Sequence, residues 1–539
     1  MSDKYDVVVV GAGFAGLYLI HELRKRDMSV LAYEMGEDVG GTWYWNRYPG
    51  ARCDAESLAY SYSFSDDLEQ SWDWSERYAT QPEILKYARH VADQFDLRSH
   101  IRFQQKVVAA HWSQTNSEWR VCTDLGDEVR AQFCIMATGC LSVPQLPDIA
   151  GIERFAGDRY QASLWPKDGV DFSGKKVALI GTGSSGIQAV PVIAEQAEQL
   201  MVFQRSPNFS VPAHNKALDQ DWVTAFKGNY QAHRDYHRRG LSSGFGDLEI
   251  TPTERAPLAE TAVGLTDAEV AQILDQRWQS GGAFFLGAFA DALASPESNQ
   301  RIADYVRNKI RETVSDANTA DKLCPTDHPI GTKRICVDTG YYEAFNRPNV
   351  ELVDVRSDPI QTITEQGLHT QSQAYDFDVL VLATGFDAMT GALLSMDIRG
   401  IDDQPLTEKW HAGPRSYLGL GIHGFPNLFT VTGPGSPSVL SNMLVSIEQH
   451  VDWIVGCLEH LRSEGKTLFE AELPAEDQWV NHVNEIADAT LFPEGGSWYL
   501  GANVAGKPRV FMPYAAGVGV YREICDDVAA NNYRGFQVS

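Results

Sequence analysis

The apolar positions of this chain fall in short unbroken runs, and several of those runs end in glycine. VVVVGAGFAGLYLI near the N-terminus and KKVALIGTGSSGIQAV from Lys175 each read as an apolar strand, a glycine-rich turn and the start of a helix. VRAQFCIMATGC and FDVLVLATGF are further strands, each closing on Ala-Thr-Gly, and FPNLFTVTGPGSP runs into a Gly/Pro turn. Between them, DAEVAQILDQRWQSGG and SNQRIADYVRNKIRETV carry helical periodicity without strand signals. The pattern predicts an α/β protein with two Rossmann-like dinucleotide-binding domains, each discontinuous in sequence, and a helical insertion. One domain takes residues 1–143 and 387–539, with a mobile C-terminal loop. The other takes 144–215 and 330–386, and the insertion is 216–329. SVPQLPDIAG reads as a linker, so the connections are expected to act as hinges.

Both glycine turns have the spacing Gly-x-Gly-x-x-Gly. In the first, Gly11, Gly13, Phe14, Ala15 and Gly16 form the turn. In the second, Gly181, Thr182, Gly183, Ser184, Ser185 and Gly186 do so, with Gln188 one turn into the helix. Glycine permits the tight bend and lets backbone amides approach a pyrophosphate at the helix N-terminus. A residue roughly 20 positions on reads the ribose: a carboxylate suits a free 2′-hydroxyl, an arginine a 2′-phosphate. Glu34 follows the first turn and Arg205, with Ser206, the second. The first site is therefore expected to take FAD and the second NADPH.

The 539 residues exceed one core, and 43% hydrophobic with 22% charged residues is an ordinary globular composition. A net charge of −27 argues against nucleic acid or anionic membrane partners. No apolar run reaches the ~18 residues of a membrane span. The first strand begins by Tyr5, leaving no room for a signal peptide, and the expected compartment is the cytoplasm. The eight cysteines, Cys53, Cys122, Cys134, Cys140, Cys324, Cys336, Cys457 and Cys525, form no C-x-x-C pair. They read as reduced thiols, and no metal site is expected, since His214, His328 and His423 also lack ligand spacing. The missing redox pair disfavours the disulfide reductases that share this architecture. The sequence does not disclose an oligomeric state.

Two longer motifs narrow the reading. GGTWYWNRYPGARCD, Gly40 to Asp54, matches G-G-x-W-x-x-x-x-Y-P-G-x-x-x-D. FAGDRYQASLWP, Phe155 to Pro166, matches F-x-G-x-x-x-H-x-x-x-W-P except that Gln161 replaces the histidine. With FQRSPNFSVPA, GTKRICVDTGYYEAFNRPNV, GPGSPSVLSNM and SWYLGANVAGKPRVF, the chain resembles the type I Baeyer–Villiger monooxygenases from end to end. The resemblance implies oxygen insertion next to a ketone carbonyl, giving an ester or lactone, with O2 and a small ketone as substrates. Sulfides are a further substrate class.

In that resemblance Arg334 is the active-site arginine, and Asp54 is the carboxylate that holds it. A guanidinium keeps its charge at any useful pH, which suits negative charge developing in a dry site. Lys333 joins Arg205 and Ser206 on the 2′-phosphate. Trp498 closes over nicotinamide and substrate, and Ser438, Val439 and Leu440 line the substrate pocket. Gly41, Thr42, Trp43 and Tyr60 cluster beside the flavin turn and are expected to contact flavin. Glutamine at 161 can still hydrogen-bond but cannot become charged, so altered domain motion or coupling is expected there. Rival readings are a flavin-containing N/S-monooxygenase, an uncoupled NADPH oxidase and a non-catalytic flavin or nucleotide sensor.

Overall fold

A computed structural model describes residues 3–239 and 261–539. Two sheets dominate it, the first mixed and the second parallel. The first has eight strands, ordered Asp397–Arg399, Val107–Ser113, Glu118–Thr123, Glu128–Met136, Asp3–Val10, Val30–Tyr33 and Ile101–Arg102, with Leu428–Thr430 also paired to Glu128–Met136. The second has five, ordered Val350–Asp354, Gln199–Gln204, Lys176–Ile180, Val379–Leu382 and Asp158–Gln161, all parallel. These are the two Rossmann-like units expected, and the chain passes from the first to the second and back.

The unbroken apolar runs have a physical reason. Val7 and Val9 pack into a core with Leu17 and Ile20, whereas Val8 and Val10 join a separate core with Trp119 and Leu428. Val177 and Leu179 divide from Ala178 and Ile180 in the same way. Alternate strand side chains face opposite sides, so a strand covered on both faces must be apolar throughout.

Each unit repeats one closure. The strand Glu128–Met136 delivers Ala137 beside Gly11, and a Cβ on Gly11 would lie 2.5 Å from the Ala137 carbonyl oxygen. The strand Val379–Leu382 delivers Ala383 beside Gly181, where the corresponding distance is 2.4 Å. Both glycines have positive φ, +107° and +112°. Each Ala-Thr-Gly segment therefore closes against the glycine turn of its own unit.

Among the described residues, the stretch from Gln220 to Leu323 holds helices and no strand, with helices Asp267–Ser280 and Pro296–Thr313 the longest. Thr266 and Glu269 form a reciprocal cap on the first of these, and Ser295 caps the second ahead of Pro296. Residues 240–260 of the expected helical insertion lie outside the described residues. No helix is long and apolar enough to cross a membrane among the described residues.

Candidate active site between the two nucleotide cradles

The first cradle lies where the strand Asp3–Val10 turns into the helix Phe14–Arg24. That helix begins at Gly13 with no side-chain cap, so its first N–H groups are left for a ligand. Gly13 faces Gly41, and a Cβ on Gly41 would come 2.9 Å from the Gly13 Cα. Two backbones approach here at a distance that side chains would prevent. Phe14 contributes only backbone, because its ring packs on Tyr60 and Tyr62. Ala15 is buried beside it.

Glu34 is only 5% exposed and accepts from the N–H groups of Ala12 at 2.9 Å and Gly36 at 2.7 Å. Burial raises its pKa, and these backbone donors oppose the rise. Beyond it lies a groove lined by Met35, Gly36, Gln104, Leu164 and Trp165. Uncapped amides, a glycine cradle and a buried carboxylate at the end of the next strand all fit FAD. Trp43 is buried and donates its indole N–H to the Tyr60 hydroxyl at 3.1 Å, while Thr42 is exposed at the start of the turn Thr42–Trp45.

The second cradle repeats the design. The helix Ser184–Gln196 starts at Gly183 without a side-chain cap, and a Cβ on Gly183 would meet open space. Ser184 lies against the Cys336 thiol. Thr182 donates to the Ser206 carbonyl at 3.0 Å and so fixes the chain just past exposed Arg205. Lys333 points into this corner. Burial lowers its pKa, Asp327 opposes that, and Arg356 and Arg205 add to it. Three cations thus converge where a 2′-phosphate is expected, which fits NADPH.

Arg334, the next residue, takes the other direction. Its Nε and Nη2 grip Asp54 at 2.6 and 2.9 Å, and Nη1 donates to the Val439 carbonyl at 2.7 Å. Burial disfavours the charges on both partners, but their mutual attraction and hydrogen bonds prevail. The arginine pKa is raised and that of Asp54 lowered. Three of the five guanidinium N–H bonds are engaged in this way, which leaves two for a further acceptor.

A packed apolar cluster adjoins this pair. Cys140, Met389, Leu440, Phe492 and Phe511 belong to it, with half-buried Trp498 packed against them. Ser438 hydrogen-bonds with the Cys140 thiol at 3.0 Å, in a short turn that presents the Val439 carbonyl to Arg334.

Several features were not legible in the sequence. Gln188 directs its amide at the other nucleotide unit, accepting from the Tyr48 hydroxyl at 2.8 Å and donating to the Arg52 carbonyl at 3.1 Å. Tyr499 is fully buried beside Arg334, with its pKa pushed up to about 12 by burial against the opposing arginine charge. Arg356, bonded to both Asp327 and Ser206, stands in the same corner as Lys333 and Arg205. Gln161 pairs with Leu382 at the edge of the second sheet, and its side-chain N–H group is buried without a partner.

A family model described as "pyridine nucleotide-disulphide oxidoreductase" matches residues 8–228. All eight cysteines are free thiols. An acetone monooxygenase (methyl acetate-forming) from Gordonia sp. (strain TY-5) is 38% identical over 545 residues, covering 100% of both chains. A crystallographic steroid monooxygenase bound to NADP is 51% identical, with a TM-score of 0.93 and 99% of each chain covered. OTEMO in complex with FAD and NADP is 39% identical, with a TM-score of 0.94 and 100% of each chain covered.

Proposed function

The chain belongs to the Baeyer–Villiger monooxygenases, and on that premise we propose that Arg334, held by Asp54, is the group that receives the reacting oxygen of a ketone. The protein is an FAD- and NADPH-dependent monooxygenase that inserts one oxygen atom beside a ketone carbonyl, giving an ester or lactone. When bound, reduced FAD supplies the chemistry that activates O2.

The observation that carries the proposal is the bidentate Arg334–Asp54 pair, with the Val439 carbonyl on a third nitrogen. Asp54 and Val439 fix the plane of the guanidinium. The two remaining N–H bonds can meet negative charge growing on the carbonyl oxygen, and the charge is fixed before the reaction begins. The apolar wall of Leu440, Phe492, Phe511 and Trp498 excludes water, which strengthens that interaction. Lys333 turns to the coenzyme phosphate while Arg334 turns to the substrate, so one dipeptide couples coenzyme and ketone. Substrates are small ketones and O2.

The test is Arg334→Ala. FAD content should match the parent, while lactone or ester formation from a ketone panel falls by about 10²–10³-fold, the usual cost of losing such a donor. Arg334→Lys should not restore the rate, because an ammonium cannot keep two hydrogen bonds to Asp54 and still aim at the substrate. Wild-type product formation in either variant would remove Arg334 from the reaction.

A further inference from the structure

The coenzyme corner contains an anion as well as three cations. Asp327 accepts from Arg356 Nη2 through one carboxylate oxygen and hydrogen-bonds with His328 Nδ1 at 2.6 Å through the other. The same Arg356 nitrogen donates to the Ser206 hydroxyl at 3.1 Å. Ser206 is the neighbour of Arg205, and Lys333 interacts with Asp327, Arg356 and Arg205. Asp327 therefore stands among the groups expected to bind the coenzyme's 2′-phosphate. His328 adds no positive charge there, since burial and then the nearby Lys333 favour its neutral form. A carboxylate in an anion site calls for an explanation, because it repels the ligand the cations attract.

We propose that Asp327 is an internal counter-ion that the 2′-phosphate displaces from Arg356. In the coenzyme-free protein Asp327 keeps three like charges close together and holds Arg356 on Ser206. When the phosphate arrives, Arg356 passes from carboxylate to phosphate while its nitrogen stays beside Ser206. Asp327, still tied to His328, remains next to the phosphate and weakens its binding. The arrangement preorganises the cations and also limits how tightly the oxidised coenzyme is retained. Arg356 thereby becomes a further determinant of NADPH selectivity, and Asp327 sets the exchange between occupied and free states. The proposal rests on reading this corner as the 2′-phosphate subsite.

Adenosine 2′,5′-bisphosphate and ADP are the probes, titrated calorimetrically into the FAD-loaded protein at low and at high salt. The parent should bind the bisphosphate more tightly than ADP. If it does not, the subsite reading itself fails. Asp327→Asn keeps an acceptor for Arg356 but removes the charge. It should bind the bisphosphate about tenfold more tightly at low salt, equivalent to ~1.4 kcal/mol, with ADP unchanged. The gain should shrink at high salt as screening sets in. Asp327→Ala removes both charge and acceptor, and should gain less than Asp327→Asn. Arg356→Ala should bind the bisphosphate about tenfold more weakly, with ADP again unchanged. If the parent discriminates while Asp327→Asn binds the bisphosphate equally or more weakly, Asp327 merely positions Arg356 and the counter-ion role is wrong. Retained FAD absorbance and melting temperature would establish that each variant is folded.

Discussion

Arg205 and Arg334 are both arginines, yet their settings give them different work. Arg205 is exposed on the rim of an open cradle, whereas Arg334 is half-buried and held through three of its N–H bonds. Removing Arg205 should change coenzyme choice without touching the chemistry. A charge-assisted hydrogen bond to phosphate is worth roughly 1.5–3 kcal/mol, so Arg205→Ala should lose at least about tenfold of its NADPH preference. Steady-state kcat/KM with NADPH and NADH measures this, and an unchanged ratio would exclude Arg205 from the phosphate site. Gln161 is a different case. Its buried amide N–H has no partner, and its backbone pairs with Leu382, one residue before Ala383. Gln161→His should alter the ratio of product to NADPH consumed, with hydrogen peroxide moving the opposite way. Identical ratios in both proteins would make position 161 a neutral site.

At the scale of elements, the short parallel pair Ser210–Pro212 and Cys336–Asp338 anchors the segment that carries Lys333 and Arg334. Asp338 locks the pair, accepting from the Ser210 hydroxyl and, at 3.0 Å, from the Tyr341 N–H. Burial outweighs these donors and pushes its pKa up to about 6. An unfolded aspartate titrates near ~3.9, so the folded state binds this proton more tightly. The stability it confers is therefore full below ~3.9 and is lost as pH rises through about 6. Asp338→Asn fixes the neutral form. Its melting temperature should exceed the parent's at pH 8, and the gap should close toward pH 4. A variant less stable than the parent at pH 8 would show that the anion is needed for packing. The tight approaches of Gly11 and Gly181 belong to the same scale, because an alanine at either would drive its Cβ into the carbonyl that closes the cradle.

At the scale of the whole molecule, function requires the two cradles to present flavin and nicotinamide to one pocket. Tyr48 and Arg52, from the flavin unit, both bind Gln188 on the first helix of the coenzyme unit. Lys167 pairs with Glu37 across the same divide, beside the groove at Glu34. These polar contacts help hold the units in register beside an apolar core that runs through both. Gln188→Ala should retain FAD yet raise the fraction of NADPH diverted to hydrogen peroxide. Peroxide yield per NADPH measures it, and parental coupling would mean that this bridge does not set the geometry of turnover.

The sequence alone determined the parts whose signals are local. Two glycine turns, one followed by Glu34 and the other by Arg205, pointed to FAD and NADP, since a tight bend and a pyrophosphate contact need those residue types at that spacing. Unbroken valine runs marked strands whose alternate residues enter different cores. The Arg334 and Asp54 assignments came through resemblance, because 280 positions separate the two and no local pattern links them. What only the tertiary structure decided depends on contacts between distant segments. It joined Val439 to Arg334, turned Gln188 toward Tyr48 and gathered Asp327, Arg356 and Lys333 around Ser206. Val439 acts through its backbone carbonyl, and each of the other side chains would read as a solvated charge or a plain polar residue in isolation. Their roles arise from burial and from the neighbours that the fold brings within hydrogen-bonding reach, and neither is encoded in the spacing of residues along the chain.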